Sequence, residues 1–216
     1  LTDGENTKHF FKKLVEQELD LHLLRFLIEI LERLLPLYGE ADRLLVTLDR
    51  FFQAVRSPHA IIALFEQEPE SLESLLAILA TSPFLGEIVI AEPDVWERIR
   101  RGGGRPEKRE TLRDILRSEI GDSLDSAFVM QALRRFKRRE ILRVAYGDIV
   151  KQQRLETVVG QISAIADCVV DEALRVSILQ QQQRRGIPLI RDNQPATITV
   201  IALGKLGGNE LNYSSD

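Results

Sequence analysis

The sequence contains little of several residue types that usually point to a particular class of protein. Its 216 residues include a single cysteine, Cys168, so no disulfide framework exists and a reducing, cytoplasmic compartment is expected. Cys168 lies in an apolar helical pattern, where we expect it to be buried. No apolar run approaches the roughly 18–20 residues that a membrane span requires. The histidines have no partners at metal-ligand spacing, which argues against a histidine metal site: His9, His22 and His59.

Charge is distributed unevenly along the chain, although the net charge is only −4. Residues 1–99 carry 18 Asp and Glu against 9 Lys and Arg, whereas residues 100–154 carry 15 Lys and Arg against 8 Asp and Glu. Such regions either steer partners of opposite charge or pair with each other and solvate helix faces. The sequence leaves both interpretations open.

Helical periodicity runs through most of the first 185 residues. Apolar side chains recur at helical spacing from residue 10 to residue 35, until Pro36 and Gly39 break the run, which predicts one helix over that stretch. Ser57 before Pro58, and Ser82 before Pro83, are helix starts, because serine caps a helix N-terminus and proline suits the first turn. Further helices are expected over residues 44–55, about 107–120, about 125–152 and about 155–184. The pattern predicts a mainly α protein, built as an irregular helical array.

Loop signals divide the chain. Arg101-Gly-Gly-Gly-Arg-Pro106 is the clearest loop, and it marks a candidate break within a helical domain of residues 1–186. Residues 187–216 are expected to begin a second domain. The chain starts at Leu1 with no signal-peptide pattern, and it stops at Asp216 inside a motif. We therefore expect a fragment of a longer protein.

The end of the sequence holds its most informative motif. Residues 197–203 are β-branched and apolar on both faces, which predicts a buried central strand. Its partner strands are either missing from the chain, which we favour, or hidden within a helical pattern. A glycine turn at Gly207-Gly208 follows, and the chain then reaches Ser215 and Asp216. The fold class expected here is the first strand and glycine turn of a truncated α/β domain.

This strand and turn suit phosphate and metal chemistry. Glycines leave backbone N–H groups unhindered, so a triphosphate can approach the main chain. Ser215 offers a hydroxyl, and the carboxylate of Asp216 is a hard oxygen ligand of the kind that Mg²⁺ prefers. The motif is not a P-loop, because no Ser or Thr follows Lys205. The residues alone leave a second interpretation, an ordinary turn followed by a surface aspartate.

The segment Gly204-Lys-Leu-Gly-Gly-Asn-Glu-Leu-Asn-Tyr-Ser-Ser-Asp216 resembles the signature of the glutamine synthetase adenylyltransferase/deadenylase family. Upstream, Ser82-Pro-Phe-Leu-Gly86 resembles a helical region of that family. The run from Arg134 to Arg143, with Asp148, resembles its arginine-rich helix. The resemblance covers roughly residues 40–216 and implies a nucleotidyltransferase domain beginning near residue 187.

The resemblance implies roles for individual residues of the motif. Gly207, Gly208 and Ser215 would contact nucleotide phosphates, and Asp216 would be the catalytic carboxylate that ligates Mg²⁺. Lys205 would add a positive charge near phosphate, or it would lie in solvent. The cofactor implied is Mg²⁺, with ATP or phosphate as substrate.

The resemblance also implies an activity and partners. Members of the family move AMP from ATP to a tyrosine of glutamine synthetase or remove it with phosphate, under the control of PII-type signal proteins. Residues 210–216 are more like the N-terminal, deadenylylating half of the family. Family members continue with a second metal aspartate, which this sequence lacks, so we expect this chain alone to be inactive.

The arginine-rich run has an alternative interpretation. In it, the chain is a non-catalytic helical interaction or regulatory module whose basic helix binds an acidic partner. The residues expected to make that contact are Arg134, Arg135, Arg138 and Arg139. Nucleic-acid binding is disfavoured, because no aromatic side chains interleave with the basic ones.

Overall fold

The structure is a computed structural model that describes residues 10–15, 20–190 and 193–214. These residues are mainly α-helical, as the sequence predicts. Contacts divide the chain into two compact units: Leu1–Gly104 with Ile149–Lys151, and Arg105–Asp148 with Gln152–Asp216. In this division, the residues after 186 group with the second unit, and the domain boundary placed at 186/187 stays a prediction.

The first unit is built from short helices. Residues 10–15 are helical, and a 3₁₀ turn over Leu35–Leu37 follows the next helix. The others are α1 (Leu21–Leu34), α2 (Ala41–Ala54), α3 (Pro58–Gln67), α4 (Pro69–Thr81), α5 (Pro83–Ala91) and α6 (Pro93–Gly102). Four of these helices begin at proline, whose fixed φ and missing N–H cost nothing in a first turn. The helix starts predicted at Pro58 and Pro83 are confirmed, and Ser57 Oγ accepts the Ala60 N–H at 3.2 Å.

The prediction of one helix from residue 10 to residue 35 is wrong. Asp20 has an extended backbone, with φ −56° and ψ 133°, and its carboxylate accepts the N–H of His22 at 3.1 Å. This cap satisfies a donor that a helix start would otherwise leave unpaired, so a new helix begins at Leu21. The apolar spacing hides the break, because Phe10 and Leu27 are both buried.

The core of the first unit is centred on aromatic side chains. Trp96 is fully buried, with its ring 5.7 Å from that of Phe51 and 6.2 Å from that of Phe65, both edge to face. Such arrangements are favoured by the charge distribution of aromatic rings, in addition to the area that they bury. Trp96 therefore belongs to the core.

The second unit contains longer helices. They are α7 (Arg109–Ile120), α8 (Ser126–Ile149) and α9 (Leu155–Arg185), followed by the single turn α10 (Gly204–Gly207). α9 packs along α7, and Cys168 on α9 is fully buried with its thiol donating to the Arg109 carbonyl. Burial raises the pKa of the Cys168 thiol above its ordinary value. The predicted burial of Cys168 is confirmed.

The strand predicted over residues 197–203 does not form among the described residues. The β pairing among the described residues is an isolated antiparallel bridge between Leu189 and Pro195, which lies before this segment. Ile201 and Leu203 are 80% and 82% exposed, whereas the sequence predicts a buried strand. A strand requires pairing with the N–H and C=O groups of a neighbouring strand, and no described residue pairs with this segment in that way.

Of the helices in the described ranges, none combines the length and the apolar composition that crossing a bilayer demands.

Candidate functional site

The glycine-rich end of the chain folds into a compact loop, which we call the glycine segment (residues 203–214). It opens at Gly204, whose φ of +60° suits glycine, and makes the single turn α10. The Gly208 N–H donates to the Gly204 carbonyl at 2.9 Å, and the Glu210 N–H donates to the Lys205 carbonyl at 2.7 Å. These backbone bonds give the segment a defined shape despite its exposure to solvent.

Gly207 is the position where close backbone approach requires glycine. A Cβ built on Gly207 would lie 2.5 Å from the carbonyl oxygen of Ala202, a backbone atom that cannot move aside as a side chain can. At Gly208 the nearest atom to such a Cβ is 3.4 Å away, and φ is −83°. The two adjacent glycines therefore differ, because only Gly207 is fixed by close backbone approach.

The amides of both glycines are engaged within the segment. The Gly207 N–H donates to the Leu203 carbonyl at 3.4 Å, and that of Gly208 donates to Gly204. A phosphate oxygen that accepted either N–H would have to replace the internal carbonyl. The bond from Gly207 is long, so it is the easier of the two to exchange.

A buried serine of α9 holds the segment at Leu211. Ser163 is fully buried, its hydroxyl donates to the Val159 carbonyl at 2.9 Å, and its oxygen accepts the Leu211 N–H at 3.1 Å. One turn earlier, Gly160 leaves room for Asn209, whose Nδ2 would lie 3.7 Å from a Cβ built there. One face of α9 thus receives the middle of the glycine segment.

A second contact joins the segment to α8. The Tyr213 hydroxyl donates to Asp148 Oδ2 at 3.1 Å. Partial burial, and then the neighbouring negative charge of Asp148, raise the pKa of Tyr213 above its ordinary value, so the phenol keeps its proton. The segment is therefore bonded to two helices through residues three and five positions after Gly208.

The structure brings together only some of the residues that the sequence singles out. Lys205, Gly207 and Gly208 lie within one loop, and the Lys205 side chain is exposed, with no ion pair to the residues described. Ser215 and Asp216 lie outside the described residues. Within the ranges that the structure describes, no group of three or more His, Cys, Asp or Glu side chains could hold a metal ion.

Ser163 is the functional candidate that the sequence reasoning missed. It lies in the helical stretch predicted over residues 155–184, directly after the inward-facing Ile162. A buried serine beside apolar positions is a weak signal, because most such hydroxyls bond only to the carbonyl one turn earlier. Its acceptor role for Leu211 depends on a fold that sequence spacing does not show.

The basic residues of α8 separate into two groups. Arg134, Arg135 and Arg138 are exposed. Arg139 is largely buried, with its guanidinium 2.6 Å from Glu119 Oε1 and 5.4 Å from the centre of the Phe136 ring. Three of the four predicted contact residues are therefore accessible, whereas Arg139 is used inside the second unit.

Comparison with known proteins gives one family match. The family model described as glutamate-ammonia ligase adenylyltransferase matches residues 72–216, which extend from within α4 through the glycine segment. The match includes every described element of the second unit.

Individual relatives agree with this match. A bifunctional glutamine synthetase adenylyltransferase/adenylyl-removing enzyme of Corynebacterium efficiens is 34% identical over 148 residues, which are 67% of this chain and 14% of the relative. The enzymes of the same name from Thioalkalivibrio sulfidiphilus and Pseudomonas aeruginosa are each 30% identical, over 146 and 161 residues. Those alignments cover 67% and 73% of this chain, and 15% and 16% of the relatives.

The chain thus spans roughly one seventh of the length of the curated relatives that it matches. About two thirds of its residues fall within the family model, and the matched part ends in the glycine segment. The chain belongs to the glutamate-ammonia ligase adenylyltransferase family.

Proposed function

We propose that this chain is part of a cytoplasmic enzyme that transfers AMP to a tyrosine of glutamine synthetase or removes it with phosphate, and so regulates nitrogen assimilation. The observation that carries the proposal is that the family match runs into a loop whose central glycine, Gly207, cannot be replaced without moving the backbone. The sequence of residues 210–216 leads us to assign the chain to the deadenylylating half.

The proposed substrate contacts lie along the glycine segment. Gly207 and Gly208 would donate their amides to phosphate oxygens after releasing the Leu203 and Gly204 carbonyls. Lys205, which is exposed, would add a positive charge beside the phosphates. Ser215 would donate its hydroxyl to the same group.

Asp216 is the proposed catalytic carboxylate and Mg²⁺ ligand. Mg²⁺, when bound, would neutralise charge on the phosphates during in-line displacement. Asp148, a carboxylate that contacts the glycine segment, already accepts a hydrogen bond from Tyr213, and the described residues hold no group of three or more acidic, His or Cys side chains that could bind a metal ion. We therefore propose that this chain alone lacks a complete metal site and is inactive.

Residues 187–216 are proposed to begin the nucleotidyltransferase domain. The support is the segment 197–203, which is apolar and exposed on both faces, since Ile198 and Val200 are each about half exposed and Ile201 and Leu203 more so. Such a segment buries its side chains and pairs its backbone when further strands lie on either side.

Calorimetric titration of ATP with Mg²⁺ tests this proposal. The samples are this chain, a version extended by about 100 residues to complete a small α/β domain, and the extended version carrying Asp216→Asn. We expect binding to the extended protein alone, with the substitution abolishing it. Equal binding and turnover by the Asp216→Asn variant would remove Asp216 from the site. Absence of binding to the unmodified extended protein would overturn the nucleotidyltransferase assignment.

A second candidate function is docking of an acidic partner on α8. The observation that favours it is the exposure of Arg134, Arg135 and Arg138, none of which forms an ion pair with a described residue. Glutamine synthetase and a PII-type signal protein are the proposed partners. Exposed basic patches of this kind steer association and make it dependent on salt.

Charge reversal tests the docking surface. The double substitution Arg134→Glu with Arg138→Glu should weaken capture of glutamine synthetase or of the PII-type protein, and should make that capture less dependent on salt. The matched control is Arg184→Glu with Arg185→Glu, which changes the same charge at exposed positions near the end of α9. Equal loss of partner capture in both double variants would show that net charge alone causes the effect. Unchanged capture by the Arg134→Glu, Arg138→Glu variant would overturn the docking surface.

A further inference from the structure

We propose that Ser163 and Asp148 are positioning residues for the glycine segment, which they hold in place through Leu211 and Tyr213. This inference rests on the proposed function, because it assigns the two helices a role in aligning the phosphate-binding loop. Neither residue would touch nucleotide. Their effect would pass through the segment between Gly208 and Ser215.

The Ser163 contact joins a fully buried side chain to the partly buried backbone of Leu211. The hydroxyl oxygen accepts the Leu211 N–H at 3.1 Å while its hydrogen is directed to the Val159 carbonyl at 2.9 Å, so both capacities of the side chain are used. Alanine at this position would leave the Leu211 N–H without its acceptor. A partly buried donor that loses its partner still costs free energy, so the segment would shift or open to bring this N–H to water.

The Asp148 contact fixes the segment from a second direction. Asp148 lies near the end of α8, whereas Ser163 lies in the first third of α9. Leu211 and Tyr213 are two residues apart, so bonds to two different helices restrain both translation and rotation of the chain between them. Tyr213 is 47% exposed, and its bond alone would be weak, which makes the pair of contacts the effective unit.

The spacing along the chain connects these contacts to chemistry. Tyr213 is two residues before Ser215 and three before Asp216, while Leu211 is three residues after Gly208. The two anchors therefore separate the glycine turn from the proposed hydroxyl and carboxylate. Reacting groups misplaced by about 1 Å lose rate on the order of 100-fold. Anchors at this place would set the distance between the two halves of the site.

The first experiment measures hydrogen exchange in this chain as it stands. Ser163→Ala should speed exchange of the Leu211 amide on the order of 10-fold, as expected for loss of one hydrogen bond, with smaller increases across residues 204–214. Ser177→Ala is the matched control, because Ser177 is on the same helix and donates to the Ala173 carbonyl at 2.7 Å without an acceptor role in the segment. Unchanged exchange at Leu211 in Ser163→Ala would overturn the anchor.

The second experiment is a double-mutant cycle on Tyr213→Phe and Asp148→Ala in the full-length protein, with AMP transfer and phosphorolysis as assays. If both substitutions act by removing the same Tyr213–Asp148 hydrogen bond, the double variant should lose no more kcat/KM than either single variant. Asp148→Asn keeps an oxygen acceptor and should restore most of the activity. Additive losses, or full activity in the single variants, would overturn the positioning role.

The readouts separate the two proposals. A positioning role predicts that kcat falls more than KM rises, because binding contacts remain while alignment is lost. If the unmodified full-length protein neither transfers nor removes AMP, the proposed function fails and the positioning role fails with it. The hydrogen-exchange result would then still report whether Ser163 anchors the segment. If the unmodified protein is active and the variants match it, only the positioning role fails.

Discussion

Arg143 on α8 donates to Gln161 on α9, with Nη2 2.9 Å from Oε1, and the two side chains together hold the backbone of the loop before α7. Arg143 Nη1 donates to the Arg105 carbonyl at 2.6 Å. Gln161 accepts the Glu107 N–H at 2.8 Å and donates to the Glu107 carbonyl at 2.9 Å. The stretch that the sequence marks as a loop is thus fastened by side chains from two helices.

Replacing Arg143 by lysine should destabilise the second unit. A lysine ammonium keeps the charge but cannot reach Glu140, Arg105 and Gln161 at once, as the guanidinium fork does. We expect a loss of about 1–3 kcal/mol in the free energy of unfolding, measured by urea denaturation. The exposed Arg138→Lys is the control, and equal stability of the two variants would contradict a structural role for the fork.

Among the acidic residues of the second unit, Glu172 should contribute strongly to the free energy of unfolding. It is fully buried, and its two oxygens accept from Arg117 at 2.9 Å and from Arg175 at 2.6 Å. Glu172→Gln keeps the shape but removes the charge, and both arginines retain access to solvent, so we expect a cost of about 2 kcal/mol rather than more. Glu156→Gln, on the exposed face of α9, should change stability little. A smaller effect at Glu172 than at Glu156 would refute this.

The two adjacent glycines of the segment should respond differently to alanine. Gly207→Ala places a methyl group against the Ala202 carbonyl and should shift the backbone of residues 202–208, visible as changed amide chemical shifts and faster hydrogen exchange. Gly208→Ala should leave these signals close to those of the unmodified chain. Similar spectra for the two variants would mean that the close approach at Gly207 is not rigid.

The Tyr213 phenol should ionise only at strongly alkaline pH. Burial and the Asp148 charge raise its folded-state pKa above the ordinary value of about 10. The folded state therefore holds this proton more tightly, so the stability that it contributes is complete below pH of about 10 and is lost as pH rises towards the raised pKa. Tyrosine-ring NMR resonances followed against pH measure the effect.

Asp148→Asn tests whether the Asp148 charge contributes to the raised pKa of Tyr213. Without the carboxylate charge, the pKa of Tyr213 should fall towards its ordinary value, although burial should keep it from returning fully. The pKa of Tyr38 is also raised, first by burial and then by Glu73, and it should not move in this variant. An unchanged Tyr213 pKa in Asp148→Asn would show that the charge plays no part.

The sequence predicts local features of this fold well and distant ones poorly. The helix starts at Pro58 and Pro83 follow from the fixed φ of proline, and at Pro58 also from the Ser57 cap, whereas the Ser82 side chain makes no capping bond. These are properties of adjacent residues. The new start at Leu21 escaped prediction because apolar spacing continues across it, and an aspartate cap is only one of several roles for Asp20. Element type is therefore easier to infer than the points where elements break.

In the candidate site too, features of adjacent residues can be predicted and contacts between distant residues cannot. The requirement for glycine and the family resemblance are visible in consecutive residues of the motif. Burial of Arg139 depends on Glu119, 20 positions earlier, and the role of Ser163 depends on Leu211, 48 positions later. Such pairs arise from helix packing, and a single sequence carries no record of which helices meet.

The exposed apolar stretch at residues 197–203 has a practical consequence for handling this chain. It forms no strand with the described residues, exposes apolar side chains on both faces, and contains no charged residue or proline to discourage pairing. A second molecule can supply the missing neighbour, so concentrated samples should self-associate into β-rich aggregates. A single lysine in place of Val200 should keep the chain monodisperse to higher concentration.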